Sequence, residues 1–322
     1  MIDLTELKSR LKTAASLRGS GQYEQARQIL DTLAADPTIK QLGQQTSLGM
    51  PRQLQSALLK LAKAEKDAVH KAAYQYHLVP PPELLNKYAQ FSSSERRHIA
   101  QLAREPIPRN IHQIWIGSMP PPEGSRAWER HASQHDYAYK LWREEDLRAI
   151  GVEDNPVYQK LIRIGNLPGA VDIARYMILE KLGGIYLDCD WYPARNDLSF
   201  DDLLPMNGLT AMPEDIPRNT GKGGLLLANS MLLAPAGHPV FTRLLKALND
   251  VWNELPEAPV WWTTGPLIFT LMSRGGAVTL ADAAFVAGSL PQETPLNEVD
   301  HWCQQAQQDD LGLLLLWKSW IW

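Results

Sequence analysis

Cysteine is almost absent from this chain. There are two in 322 residues, Cys189 and Cys303, too few for a disulfide framework or a cysteine-rich zinc site. No run reaches the ~18 apolar residues that read as a membrane span, and the opening MIDLTELKSR lacks the apolar core of a secretory signal. Neither sign of charge dominates: 32 Lys and Arg stand against 36 Asp and Glu, a formal net charge of −4. A nucleic-acid partner favours a basic surface, so that class is disfavoured. These absences predict a soluble protein of a reducing compartment, the cytoplasm, with no integral membrane segment. What is present is an ordinary globular balance, 44% hydrophobic and 21% charged, which can bury a sizeable core. The length fits one large domain or two.

The chain is organised around residues 182–190, LGGIYLDCD. Ile173, Met177, Ile178 and Leu182 follow helical spacing, and Gly183 and Gly184 stop that helix. Ile185–Leu187 then reads as a short buried strand. Alternation puts Tyr186, Asp188 and Asp190 on one side of it. Two carboxylates thus leave the strand end together, and two hard oxygen ligands suit magnesium or manganese completed by water and phosphate. A lone D-x-D is most often just a solvated strand end. Here it follows a helix on which Asp172, Arg175 and Tyr176 share a face by their spacing. An acid and a guanidinium placed there suit sugar hydroxyls and a diphosphate; the plainer alternative is one helical ion pair.

The string AVDIARYMILEKLGGIYLDCD resembles the D-x-D sugar-binding region of glycosyltransferase family 32 and is similar to the catalytic core of the clostridial glucosylating toxins. The resemblance spans roughly residues 107–322. It implies a GT-A-type fold, an α/β architecture with a mixed, mostly parallel sheet flanked by helices. It also implies a nucleotide-sugar donor, manganese (or magnesium), and retention of the anomeric configuration. UDP-hexose is the favoured donor and GDP-mannose the second; the acceptor is a glycan or a protein. On the toxin-like branch the protein would be delivered to another cell.

Ahead of this region, residues 1–105 read as an all-α N-terminal region. Gly21 to Pro37 resembles the second part of a tetratricopeptide repeat, with residues 4–18 as the first helix and no clear second copy. A peptide-binding groove and a plain helical hairpin both fit, and about three repeats are needed for a stable solenoid. A further helix covers 52–75, and the Pro80–Pro82 run breaks it. Another helix follows through Leu84, Leu85 and Tyr88, and Ser92–Ser94 caps the next, before Ile99 and Leu102. The domain boundary is placed at Pro106–Pro108, giving a catalytic domain of 106–322.

Within that domain Ile107–Gly117 reads as an apolar strand and Tyr137–Leu147 as a second strand leading into a helix. Alternating strands and helices fit a mostly parallel sheet, whose ligands collect at the carboxyl ends of the strands. That rule puts Gly117 and the Asp188–Asp190 pair at one edge. Leu198–Leu204 reads as a short helix, Leu209–Met212 as a strand, and Arg218–Gly224 as a mobile loop whose Lys222 is a weak phosphate candidate. By the resemblance, Trp115 lies near the base, Asn229 near the donor, and Thr264–Gly265–Pro266 opens a helix toward it. Helix-start amides suit anions, although Thr264 is equally an ordinary N-cap.

The closing LGLLLLWKSWIW resembles the family's terminal Ser–Trp element. Carried over, Ser319 is a metal ligand and Trp320 a lid contact, with Trp322 competing for that role. Many relatives have a histidine just before this element where this chain has Leu315–Leu316, which leaves the third protein ligand open; His301 is an outside candidate. His112 and His238 read as structural. The set implied is therefore Asp172, Arg175, Asp188 and Asp190 as catalytic residues, Trp115, Tyr176, Asn229, Thr264, Gly265 and Trp320 on the donor, and Asp188, Asp190 and Ser319 on the metal. No second carboxylate stands out as a nucleophile, so a front-face mechanism is expected. Two other classes stay open: a non-catalytic interaction module on a degenerate transferase core, and a nucleotide-sugar hydrolase.

Overall fold

The computed structural model describes residues 2–46, 50–67, 70–71, 74, 85, 87–214, 226–255 and 258–319. The described chain forms two compact units, 1–84 and 85–214 with 226–322.

In the first unit, helices α1 (Leu4–Gly19), α2 (Tyr23–Ala35) and α3 (Arg52–Ala64) close on one core. Asp3 caps α1 by accepting from the Glu6 amide. Gly21, at φ +77°, makes the tight turn that an L side chain disfavours. Leu7, Leu30, Leu33, Leu54 and Leu58 are fully buried between the three helices. The hairpin predicted over residues 4–37 is there. It packs on α3 rather than on a second described hairpin, so a stacked repeat is not shown. The Pro80–Pro82 break lies outside the described residues.

The second unit begins before the prolines at 106–108. Helix α4 (Ser93–Leu102) starts with a reciprocal capping box between Ser92 and Glu95, as the serine run predicts. The sequence places this helix with the N-terminal region, but its contacts put it in the second unit. Arg243 donates to both Glu95 oxygens at 2.6 Å, and the Ile107 amide donates to Met206. Proline marked the end of a helical period and not the end of a packing unit.

After α4 come β1 (Asn110–Ile114), α5 (Glu123–Gln134), β2 (Ala138–Trp142), α6 (Glu144–Ala149), α7 (Pro156–Arg163), α8 (Leu167–Leu182), β3 (Gly184–Leu187) and β4 (Trp191–Pro193). Then come α9 (Phe200–Leu203), β5 (Leu209–Pro213), β6 (Leu227–Ala234), α10 (Pro239–Glu254), α11 (Val260–Thr263), α12 (Pro266–Ser273), β7 (Val278–Leu280), β8 (Val286–Leu290), α13 (Leu296–Gln308) and β9 (Leu314–Trp317). The main sheet runs β2-β1-β3-β6-β5-β7. Its β1–β2, β1–β3 and β5–β7 pairs are parallel and the two pairs made by β6 are antiparallel. This is the mixed, mostly parallel, helix-flanked α/β sheet predicted. A smaller sheet, β4-β9-β8, was not foreseen. No described helix is long and apolar enough to cross a membrane.

The passage from α8 to β3 decides where the site sits. Gly183 and Gly184 have φ of +63° and +105°. A Cβ on Gly183 would fall 2.5 Å from the Ala236 nitrogen, and one on Gly184 would fall 2.6 Å from the Asn110 oxygen. Both positions therefore need glycine for conformation and for space. This tight exit feeds β3 between β1 and β6, buried along its whole length.

Candidate active site

Because β1 and β3 run parallel, their carboxyl ends share one edge of the sheet, and the chain leaves β3 there through Asp188, Cys189 and Asp190. The turn is fixed from both flanks. The Asp188 amide donates to Ser230 at 2.8 Å, and the Gln113 side-chain amide donates to the Asp188 carbonyl at 3.2 Å. Gln113 in turn accepts from the Tyr139 hydroxyl at 2.9 Å. Gln113 is not among the residues that the sequence alone singles out. Its signal was a polar residue inside an apolar strand, which must find a partner when buried.

Asp172, Arg175 and Tyr176 share the inward face of α8, as their spacing predicts. The Arg175 guanidinium lies 3.0 Å from Asp188 Oδ1 and 3.3 Å from Asp172 Oδ1, donates to the Asn229 carbonyl at 2.6 Å, and stands over the Tyr186 ring at 4.7 Å. The Tyr186 hydroxyl donates to Asp188 Oδ1 at 2.7 Å. Behind Arg175 a closed ring of hydrogen bonds joins three distant segments. Asn229 Nδ2 donates to Asp172 Oδ1 and to the Tyr176 hydroxyl, each at 2.8 Å. Tyr176 donates to the Thr264 carbonyl at 2.8 Å, and Thr264 Oγ1 donates to Asp172 Oδ2 at 2.8 Å. Thr264 closes α11; the N-cap of α12 is Gly265.

Burial sets the electrostatics. It pushes the Asp172 carboxyl up, against the pull of Arg175, Thr264 and Asn229. It pushes Asp188 up as well; Arg175 works against that and the neighbouring Asp190 charge adds to it. Burial opposes the Arg175 charge, but Asp188 and Asp172 outweigh it and the guanidinium stays protonated. The Cys189 thiol is raised by burial and is no nucleophile. His112 falls to about 4 by burial; its Nε2 bonds the Gly183 carbonyl and its Nδ1 accepts from Trp142. His238 also falls to about 4 by burial and caps α10. Both stay neutral at pH 7 and structural.

Asp188 and Asp190 are less enclosed, their side chains 25% and 20% exposed, so a ligand can reach them. The terminal strand β9 comes to this point. It pairs with β4, the Trp317 amide donates to the Asp190 carbonyl at 2.8 Å, and Lys318 Nζ lies 3.4 Å from Asp190 Oδ2. Ser319 follows, its amide bonded to the Trp317 carbonyl. Leu315 and Leu316 pair with Tyr192 and Trp191 in the small sheet. His301 is exposed on α13 and joins no metal-binding group; no described set of three His, Cys, Asp or Glu side chains does. Trp115 lies at the carboxyl end of β1 but is only 5% exposed, with its indole N–H donated to Met119. So little free surface suits a packed core residue better than a platform for a base. Trp320, Trp322, Lys222 and the Arg218–Gly224 segment lie outside the described residues.

Residues 121–208 match the family model described as glycosyltransferase sugar-binding region containing DXD motif. The chain carries a glycosyltransferase sugar-binding region. That region contains Asp172, Arg175, Tyr176, Asp188 and Asp190, while Asn229 and Thr264 reach them from beyond it. Inositol phosphoceramide mannosyltransferase 3 of Schizosaccharomyces pombe is 30% identical over 172 residues, 52% of this chain and 44% of the relative. Mannosyl phosphorylinositol ceramide synthase CSH1 of Saccharomyces cerevisiae is 27% identical over 194 residues, 59% and 47% of the two chains. Toxin A of Clostridium novyi is 46% identical over 52 residues, 16% of this chain and 2% of the toxin. The chain spans less than half the length of these relatives. Among solved structures, PaToxG glycosyltransferase aligns at 19% identity and a TM-score of 0.42, covering 70% of this chain and 88% of that one.

Proposed function

We propose that this chain is a metal-dependent, retaining glycosyltransferase that moves a hexose from a nucleoside diphosphate sugar to a glycan or protein acceptor. The observation that carries the reading is the Arg175–Asp188 contact at 3.0 Å beside a second reachable carboxylate, Asp190. A solvated strand end needs no buried guanidinium and no closed hydrogen-bond ring behind it. The donor set fits magnesium or manganese. Asp188 keeps one oxygen clear of Arg175 and Tyr186, Asp190 already draws the Lys318 cation, and both are hard ligands. In this reading Asp190 and Asp188 hold the ion and Ser319 adds a third oxygen. When bound, the ion would neutralise the diphosphate leaving group.

The chain's own residues position the donor. Arg175 holds the reachable Asp188 carboxylate in place for the donor and Asp172 holds Arg175, while the ring through Asn229, Tyr176 and Thr264, with Gly265 beside it, fixes their rotamers. Groups held in advance where charge develops lower the barrier without reorganising. A relative named a mannosyltransferase favours a hexose, and the toxin resemblance favours a UDP donor over GDP-mannose. The two unpaired cysteines suit a reducing compartment such as the cytoplasm.

The deciding experiment is a donor panel of UDP-glucose, UDP-N-acetylglucosamine, UDP-galactose and GDP-mannose, each with and without manganese. Nucleoside diphosphate release and thermal shift are the readouts. Metal-dependent turnover of one donor, lost in D188N and D190N, is expected. A folded protein that turns over none of them would refute the reading.

A further inference from the structure

The first unit carries a recess of about 440 Å³ between α1, α2 and α3. Its apolar floor includes Leu11 and Leu30, and its walls carry Lys12, Arg18, Arg52 and Lys60. No carboxylate is among the described residues that line it. Of the acids on or just past these helices, Glu6 pairs with Arg10 and Glu65 with Arg27, while Glu24 and Asp31 of α2 are not among the lining residues. None of the four wall cations pairs with a described acid. The two helices that supply them read LTELKSRLKTAASLRG and RQLQSALLKLAKA, strongly basic stretches in a chain whose net charge is −4.

Four like charges around an apolar recess repel one another and attract an anionic partner. The apolar floor asks for more than charge. A recess of this size accepts one bulky apolar side chain, the anchor that dominates many protein interfaces. A nucleic acid would want aromatic side chains to stack its bases, and none lines the recess. An anionic bilayer presents a flat sheet of charge and has nothing that fills a hollow between helices. We propose that this recess docks an acidic segment of a partner protein, which inserts one Leu- or Phe-sized side chain between Lys12, Arg18, Arg52 and Lys60. The proposal does not rest on the transferase reading.

The test is selection of a phage-displayed random dodecapeptide library on the full chain, followed by fluorescence anisotropy of the synthesised consensus peptide. The expected consensus has several Asp or Glu residues flanking one Leu, Ile, Phe or Trp. R52E and A15W should each weaken its binding at least tenfold, the first by charge and the second by filling the recess. Glutamate suits the first turn of a helix, and Ala15 is exposed, so both variants should fold, as circular dichroism will check; donor turnover should be unchanged. The proposal is overturned by a consensus without the acidic and apolar pattern, by no enrichment, or by binding that survives both variants. It is equally overturned if replacing the apolar anchor by serine costs nothing, or if phosphatidylserine vesicles bind in an Arg52-dependent way and the peptide does not.

Discussion

Thr263 and Thr264 are adjacent, equally buried threonines in which the effect of the hydroxyl can be separated from that of burial. Thr264 Oγ1 donates to the buried Asp172 carboxylate at 2.8 Å. Thr263 Oγ1 is buried and bonds no described residue. T264V leaves one Asp172 oxygen short of its donor, and a hydrogen bond to a charged group contributes about 1.5–3 kcal/mol. We expect a loss of about 2 kcal/mol. T263V removes a hydroxyl with no partner to lose, so it should be neutral or stabilise by up to about 1 kcal/mol. All eleven tryptophans lie beyond residue 114 and the nine described ones belong to the second unit, so their fluorescence reports on the unit that holds the site. With a urea m-value of about 3 kcal/mol/M, T264V should lower the midpoint by about 0.7 M. In a cycle with D172N, the T264V penalty should shrink by about 1 kcal/mol or more, since the pair is in direct contact. Equal midpoint shifts for T263V and T264V, or additivity with D172N, would refute the hydrogen-bond ring as an energetic unit.

D190N should lower metal-dependent donor turnover by at least about 10²-fold, the scale of losing one electrostatic stabiliser, with little change in the unfolding midpoint, because Asp190 belongs to no buried network; nucleoside diphosphate release measures the first and tryptophan fluorescence the second. Arg243 depresses the Glu95 carboxyl to about 2, helped by the Ser92 amide and hydroxyl. A depressed folded-state value gives stability that is present above the ordinary value near 4.5 and lost as pH falls toward 2. The midpoint advantage of wild type over E95Q should therefore be full at pH 6 and shrink steadily from pH 4.5 downward in urea titrations. G184A should cost more than about 2 kcal/mol by the same assay, from a positive φ and a collision with the Asn110 carbonyl together. Calorimetry should show manganese raising UDP affinity and UDP raising manganese affinity by the same factor.

The core of the site was legible because its signals are local. Helical spacing, two glycines and strand parity act within a few residues, and they put Asp172, Arg175, Asp188 and Asp190 together before any tertiary contact is known. The closers of the ring were not legible in that way. Asn229 and Thr264 lie 57 and 92 residues from Asp172, and only a resemblance pointed to them. Capping preference led toward Thr264 as an N-cap, whereas its hydroxyl serves a carboxylate across the fold. Helix α4 was assigned by proline punctuation, which marks the end of a helix and says nothing of which core it joins. The apolar run Leu313–Leu316 reads as a buried strand and is β9, but β8, VAGSL, has neither alternation nor a continuous apolar run, so the small sheet that joins them is not legible.

That small sheet matters for the charge balance. Counted with every group ionised, Asp172, Asp188 and Asp190 bring three negative charges against two positive ones on Arg175 and Lys318, a formal excess of one negative that burial reduces by raising Asp172 and Asp188. A diphosphate sugar would bring two more negative charges to groups that burial already pushes toward neutrality. In the transferase reading a divalent cation would cancel those two and return the cluster to its formal charge. In a region of low dielectric, each charge is costly without its partner. In the transferase reading, donor and metal each remove the penalty that the other would meet alone. Binding of the pair is then favoured over binding of either, and the protein needs only two carboxylates of its own to hold the ion, because the diphosphate supplies the rest. In that reading Lys318, just past β9 and next to Ser319, with its Nζ 3.4 Å from Asp190 Oδ2, is the cation whose place beside Asp190 a bound metal ion would share or take over.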